Sequence, residues 1–287
     1  MEKQANKDLS ALGITHRPIE LTASHSDLVT ALSGIEILIS TIVAWEVLSQ
    51  IPLATAAKAA GIQRFIPCAF GPIVPAGGLH NLRDDKETVF NHVKQLGLPH
   101  TIIDVGWWYQ LSVPILPSGK TDSWSLTGKS EIAGDGSKLS ALTNLHDIGT
   151  YVARIVVDER TLNRYVLCYN EMWSQNQIWE LFEKLSGEEI PRPYVSEAEL
   201  RGRIASVADK GRAFEAVMVR VPAQYLISWG IRGDNTPEYA RYLGYLTTKE
   251  LYPELHGKPF EQFAKEVLAG EAKEYYAELR KQFRTAK

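Results

Sequence analysis

The sequence predicts an α/β fold: a parallel sheet with helices on both faces, followed by a smaller, mostly helical region. Three observations predict it. Dense β-branched runs, such as residues 35–43 and 101–105, alternate with helical patterns. The links between them are short, which calls for βαβ crossovers and hence parallel strands. The second half changes character, and after Pro191 it is mostly helical and rich in Tyr, Phe and Arg. The division therefore falls between residues 1–150 and residues 151–287, the second unit covering the substrate side of the first.

The elements follow in order. Residues 15–21 form a short strand, and residues 26–32 an amphipathic helix capped by Ser24 or Ser26. Residues 35–43 read as a strand buried on both faces. The alanine-rich stretch 50–60 is a helix stopped by Gly61. Residues 64–68 are a strand, 84–96 a helix ending at Gly97, and 101–105 a second buried strand. Residues 131–136 read as a turn-rich hairpin, 146–157 as a helix, 164–168 as a strand and 174–186 as a helix. Ligands on such sheets bind beyond the carboxyl ends of the strands, so the residues just after each apolar run are the ones to weigh.

Composition narrows the function. The 287 residues are 45% hydrophobic and 23% charged, with a formal net charge of −3. That gives a sizeable core and no basic field for nucleic acid. No apolar stretch is long enough to span a membrane. Cys68 and Cys168 provide no disulfide framework, and no Cys/His cluster has zinc spacing. The polar start suggests no secretory signal, and the expected compartment is the cytoplasm. The expected partner is a small-molecule substrate, with a homo-oligomer left open.

Four sequence words carry a resemblance. They are AKAAGIQRFIPCAFG at 57–71, Asp85-Lys86, GLPHTIIDVGWW at 97–108 and LTNLHDIG at 142–149. Together they resemble the NmrA-like family, close to isoflavone-reductase-type proteins and especially their fungal members, over residues 10–190. The resemblance implies a Rossmann-like domain and NADP as cofactor. It also implies reduction of a small aromatic or polyketide-like metabolite in fungal secondary metabolism. Such a family begins with a strand, a glycine-rich turn and a helix, which receive the pyrophosphate. Here no glycine precedes Gly13 and the first residues are polar, so the expectation is an N-terminally shortened domain without that cradle.

The resemblance also marks site residues. Lys86 matches the lysine that family reductases place near the nicotinamide ribose and substrate, where an ammonium can stabilise a developing oxyanion. Read without it, Lys86 is a solvated lysine balanced by Asp84, Asp85 and Glu87. Gly106, Trp107 and Trp108 would lie against the nicotinamide end. Tyr109 could donate to a substrate carbonyl, while core packing is the plain alternative for these aromatics. Val43, Ala44 and Trp45 would wrap the adenine side, with Leu21 and Thr22 nearby. His80, in a Pro/Gly loop, could titrate near neutral pH but reads more simply as solvated. Cys68 reads as an inert thiol, and His146-Asp147 as a structural helix start. Three other functions stay open: a redox-free isomerase or cyclase using the same pocket, a non-catalytic NmrA-type regulator, and an incomplete copy.

Overall fold

The computed structural model describes residues 4–126 and 128–275. Its elements in chain order begin with α1 (Gln4–Ala11), α2 (His25–Leu32), β1 (Ile37–Ile39), α3 (Gln50–Ala59), β2 (Arg64–Ile66) and α4 (Asn81–Gln95). Then come β3 (Thr101–Asp104), β4 (Trp107–Trp108), β5 (Ile132–Ala133), β6 (Ser140–Thr143), α5 (Leu145–Ile155), β7 (Arg164–Leu167), β8 (Glu171–Trp173) and α6 (Gln175–Ser186). The rest is β9 (Tyr194–Val195), α7 (Glu197–Ala205), α8 (Phe214–Tyr225), α9 (Pro237–Tyr242), β10 (Leu246–Thr247), α10 (Thr248–Leu251) and α11 (Phe260–Ala269).

The main sheet is parallel throughout. β1 pairs with β2, a bridge from Phe65 to His100 joins β2 to the start of β3, and β7 lies between β3 and β10. Alternate residues along each strand face opposite sides. Phe65 and Ile102 pack with Leu28, Leu53, Val89 and Phe90 under α2, α3 and α4. Ile66 and Ile103 face the other way, into Tyr151 and Ile155 of α5 and Val166 of β7. The sheet therefore carries helices on both faces, as the alternation of runs predicts. A smaller sheet, β4–β6–β8, continues from the end of β3.

Local chemistry fixes the helix starts. Ser24 Oγ accepts the Asp27 N–H at the head of α2. Ser174 with Gln177, and Ser196 with Glu199, form reciprocal capping boxes on α6 and α7. Gly61 and Gly187 end the preceding helices in the left-handed region, which costs glycine little.

Three expected elements differ. Residues 14–20 form no strand and are exposed, because no neighbouring strand among the described residues takes their hydrogen bonds and Pro18 has no N–H to give. The run at 35–43 contributes only Ile37–Ile39, two residues half-buried and Ile39 exposed rather than all enclosed, because β1 pairs on one side alone among the described residues. Residues 131–136 make no local hairpin: β5 pairs in parallel with the distant β9, and Gly134 and Gly136 turn the chain away.

Gly106 joins β3 to β4 at φ +66°, where a β-carbon would lie 2.4 Å from the Ala141 carbonyl oxygen. The clash is with backbone that is itself held in β6, so it cannot move aside cheaply. Gly106→Ala is expected to destabilise the protein by about 2–4 kcal/mol, combining left-handed strain with overpacking. Denaturant unfolding at matched slope measures it, and an unchanged midpoint would show that the β3–β4 junction is loose.

Candidate active site

One large cavity, of about 1790 Å³, opens beyond the carboxyl ends of β1, β2 and β3. The turn after β1 supplies Thr41, Val43, Ala44 and Trp45; the loop after β2 supplies Cys68, Phe70 and Gly71. The turn after β3 supplies Gly106, Trp107 and Trp108, and α4 supplies Asn81, Asp85 and Lys86. This is where an open parallel sheet is expected to bind ligand. Phe70 sits at φ +31°, a strained value for a side-chain-bearing residue, with its N–H donated to the Ile103 oxygen at 3.0 Å. Strain of this kind gathers at ligand sites.

Lys86 is buried on α4 and donates to the Ala69 carbonyl oxygen. Burial lowers its pKa, opposed by the negative charge of Asp104. The bland reading of a solvated lysine is therefore excluded. Asp85, one residue earlier, points instead to Arg212 in a two-pronged pair of 2.8 and 2.7 Å.

Behind the cavity lies a buried ionic knot. Arg83 donates to Asp104 Oδ2 at 2.8 Å and to the Tyr245 hydroxyl at 2.9 Å, and Tyr245 in turn donates to the same carboxylate oxygen at 2.7 Å. Glu87 takes the Arg83 Nε–H at 2.9 Å. Burial works against the guanidinium charge, but Asp104, Tyr245 and Glu87 outweigh it and raise the Arg83 pKa well above its ordinary value.

The opposite wall is aromatic and comes from the C-terminal region. Tyr225 ends α8, and a π-helical stretch, Leu226–Arg232, follows it directly. Trp107 packs on Tyr225 edge-on and on Trp229 at a tilt, each with centroids 5.3 Å apart. π-helical turns recur at functional sites because they redirect side chains from the regular helical face. Around this apolar wall the charged lining residues are five cations (Lys86, Lys129, Arg203, Arg212, Arg220) against three carboxylates (Asp85, Asp122, Glu131).

The structure brings together Lys86, Val43, Ala44, Trp45, Gly106, Trp107 and Trp108, all of which line the cavity. It sets three sequence candidates apart. Tyr109 is fully buried between Phe260 and Phe263 and gives its hydroxyl to the Lys258 carbonyl at 3.1 Å, so it is a core residue. Its ring points away from the cavity because β4 ends at Trp108 and Tyr109 opens a tight helical turn, Tyr109–Leu111, in which the strand's alternation no longer holds. Leu21 packs against the α2–α3–α4 core, and Thr22 is exposed in a turn; neither lines the cavity. Without a strand at 15–21, nothing carries them to the sheet's carboxyl edge.

The remaining side chains are structural. Cys68, at the cavity's edge, is half-buried, its thiol donated to the Ile42 oxygen at 3.3 Å and its pKa pushed up by burial. Asn144 caps α5 ahead of His146, and Asp147 accepts from Asn170 and the Lys258 N–H. Tyr245 and Lys249 have the Tyr-x-x-x-Lys spacing known from reductases, but Tyr245 is bound into the ionic knot and neither lines the cavity. Among the described residues no His, Cys, Asp and Glu group is placed to hold a metal, and no helix is long and apolar enough to cross a membrane.

Sequence reasoning did not find Tyr225 and Trp229. Their signal was faint: two aromatics four apart, downstream of Pro222 inside a helical stretch.

The fold and this cavity define a Rossmann-like α/β protein with an open binding site beyond the carboxyl edge of its parallel sheet. The chain matches the NmrA-like family over residues 1–227 and belongs to it. It is 40% identical over 279 residues to asnovolin J 5′,6′-dehydrogenase nvfM of Aspergillus novofumigatus, covering 94% of this chain and 84% of that protein. It is 26% identical to eugenol synthase 1 of Petunia hybrida, over 83% of this chain and 77% of that one. Among solved structures, the leucoanthocyanidin reductase–NADPH complex from Vitis vinifera superposes with a TM-score of 0.76 at 24% identity, covering 92% of this chain and 88% of the other.

His80 is the titratable group whose environment departs most from its sequence expectation. It is buried, its Nδ1 accepts the Arg83 N–H at 3.3 Å as the cap of α4, and its ring lies 4.0 Å from that of Tyr225. Burial, reinforced by the Lys86 charge, lowers its pKa from 6.5 to about 3. Between those two values the unfolded chain binds the proton and the folded chain does not. Stability is thus expected to fall as pH drops from about 6.5 toward 3. His80→Asn, which keeps a capping acceptor, should flatten that part of the profile; urea midpoints measured from pH 7 to pH 4 test it, and equal slopes would refute the assignment.

Proposed function

We propose that this protein is an NADP(H)-dependent oxidoreductase acting on a small, largely apolar metabolite of the aromatic or polyketide-like kind. The observation that carries the reading is Lys86: a buried amine at the carboxyl edge of a parallel sheet, facing a cavity lined by aromatic rings. Buried lysines are costly unless they do chemistry or are paired, and among the described residues this one has only a backbone carbonyl as direct partner.

The residues present fit the cofactor in their donor chemistry. The lining is net cationic in a chain of net charge −3, which suits a ligand bearing phosphates. The cavity exceeds what a drug-sized molecule alone fills, roughly 300–1,000 Å³. In this reading Lys86 and the Gly106–Trp108 turn would hold the nicotinamide end, and Val43, Ala44 and Trp45 the adenine end. When bound, the nicotinamide supplies the hydride acceptor or donor. Lys86 stabilises negative charge on a substrate oxygen, Trp107 and Trp229 hold the substrate's apolar face, and the enclosing α8 limits water. The dehydrogenase and reductase names of the relatives support the same class.

A redox-free isomerase or cyclase is the second reading. It is favoured by one observation: a buried amine set among aromatic walls serves proton transfer as readily as hydride chemistry.

Titration of purified protein with NADPH, followed by nicotinamide fluorescence, separates the two. Micromolar affinity is the expected result, and no binding at millimolar cofactor would leave the redox-free reading. Lys86→Met should cut turnover by about 10²–10⁴-fold, the usual share of a positioned acid–base or charge-stabilising group. In the wild type, kcat/KM should fall on the alkaline side at a pH below lysine's ordinary 10.5, because the active ammonium is lost as pH rises through its lowered pKa.

A further inference from the structure

One corner of the cavity is bounded by two polar groups that are far apart in the chain. A β-carbon built on Gly71 would lie 3.4 Å from Lys86 Nζ, 3.6 Å from Tyr225 Oη and 3.5 Å from the Ala69 oxygen. An ammonium and a phenol therefore converge on a space the size of one heavy atom. Gly71 does not have a positive φ, so the backbone does not require glycine there. What the glycine provides is the open space.

The Tyr225 hydroxyl has no hydrogen-bond partner among the described residues, although Tyr225 lines the cavity. Enclosed phenols normally find one. The ring itself is held, by Trp107 on one side and His80 on the other. Its placement follows from the change of helical pitch directly after it, downstream of Pro222. The side chain is thus fixed in position with its one polar atom uncommitted.

We propose that Tyr225 is a catalytic residue whose phenol, together with Lys86, donates a hydrogen bond to a ketone oxygen of the substrate, and that this oxygen occupies the space left by the missing side chain of Gly71. Two donors on one carbonyl oxygen polarise it and stabilise the negative charge that builds there as the adjacent carbon framework reacts. Burial raises the Tyr225 pKa, so the phenol keeps its proton and stays a donor across the neutral range. The substrate class becomes a flat, mostly apolar cyclic ketone stacked on Trp107 and Trp229. For the reaction type this rests on the oxidoreductase reading; the recognition of a ketone oxygen rests on the geometry alone.

The test uses two probes of one shape, flavanone and flavan, which differ by the ketone. Binding to the full chain is followed by quenching of tryptophan fluorescence. The wild type should bind flavanone at least tenfold more tightly than flavan. Tyr225→Phe should lose about five- to tenfold for flavanone and keep its affinity for flavan, the usual effect of one hydrogen bond. Gly71→Ala should keep the wild-type melting temperature, since its methyl meets nothing closer than 3.4 Å, yet lose the preference for flavanone because the corner is filled. Equal flavanone affinity in the wild type and Tyr225→Phe, or no ketone preference in the wild type, overturns the proposal. NADPH titration of the same samples keeps the two ideas apart: a ketone preference without cofactor binding sinks the oxidoreductase reading and leaves this one standing.

Discussion

The buried contact of Arg83 with Asp104 is the interaction on which the rest of the site depends. Asp104 is the last residue of β3, Arg83 lies in the first turn of α4, and Tyr245 precedes β10, so one carboxylate oxygen ties three separate elements together. Removing one partner from such a pair typically costs about 3–5 kcal/mol, because the other charge is left buried and unmatched. Its effect on chemistry is as direct as its effect on stability. Lys86 is one helical turn beyond Arg83, so the knot that fixes α4 against the sheet also fixes where the amine points. The Asp104 charge also offsets part of the burial penalty on the Lys86 ammonium.

The cavity is assembled from two halves with different physics. The strand-end half is backbone-dominated: short turns after β1, β2 and β3, glycine at 71 and 106, and a strained Phe70. Its shape follows from the parallel sheet, in which every strand delivers its next few residues to the same edge. The other half is a helical wall whose aromatic side chains are placed by long-range packing. Two ion pairs cross between the halves, Asp85 with Arg212 and Glu131 with Arg203, both two-pronged. Pairs this exposed contribute little stability each. Their bidentate geometry does fix the orientation of the wall over the opening.

Much of the fold was legible because its signals are local. The helices at 50–59, 81–95 and 175–186 follow from apolar spacing, caps and glycine stops, and the strands at 64–66, 101–104 and 164–167 follow from short β-branched runs. The strand at 15–21 was misjudged because an apolar–polar pattern says only that a segment could pair, not that a partner stands beside it. The same limit explains β1, whose residues look doubly buried but, among the described residues, pair on one side. The parallel partner of β5 lies some sixty residues away, so the turn signals of Gly134 and Gly136 pointed to a hairpin that does not form.

The sequence by itself determined the alternation of strand and helix, the family words, and through them the lysine at 86 and the Gly106–Trp108 turn. These are set by short-range periodicity and by residues contiguous in the chain. Only the tertiary structure decided which neighbouring aromatics face the cavity and which the core. Trp107 and Tyr109 are two residues apart, yet one lines the cavity and the other packs against Phe260 and Phe263. Only the fold, too, brought Tyr225 to within reach of Lys86 and Gly71, more than 130 residues away. The physical reason is that burial and convergence depend on which surfaces meet, and sequence spacing carries that information only within a single helix or strand.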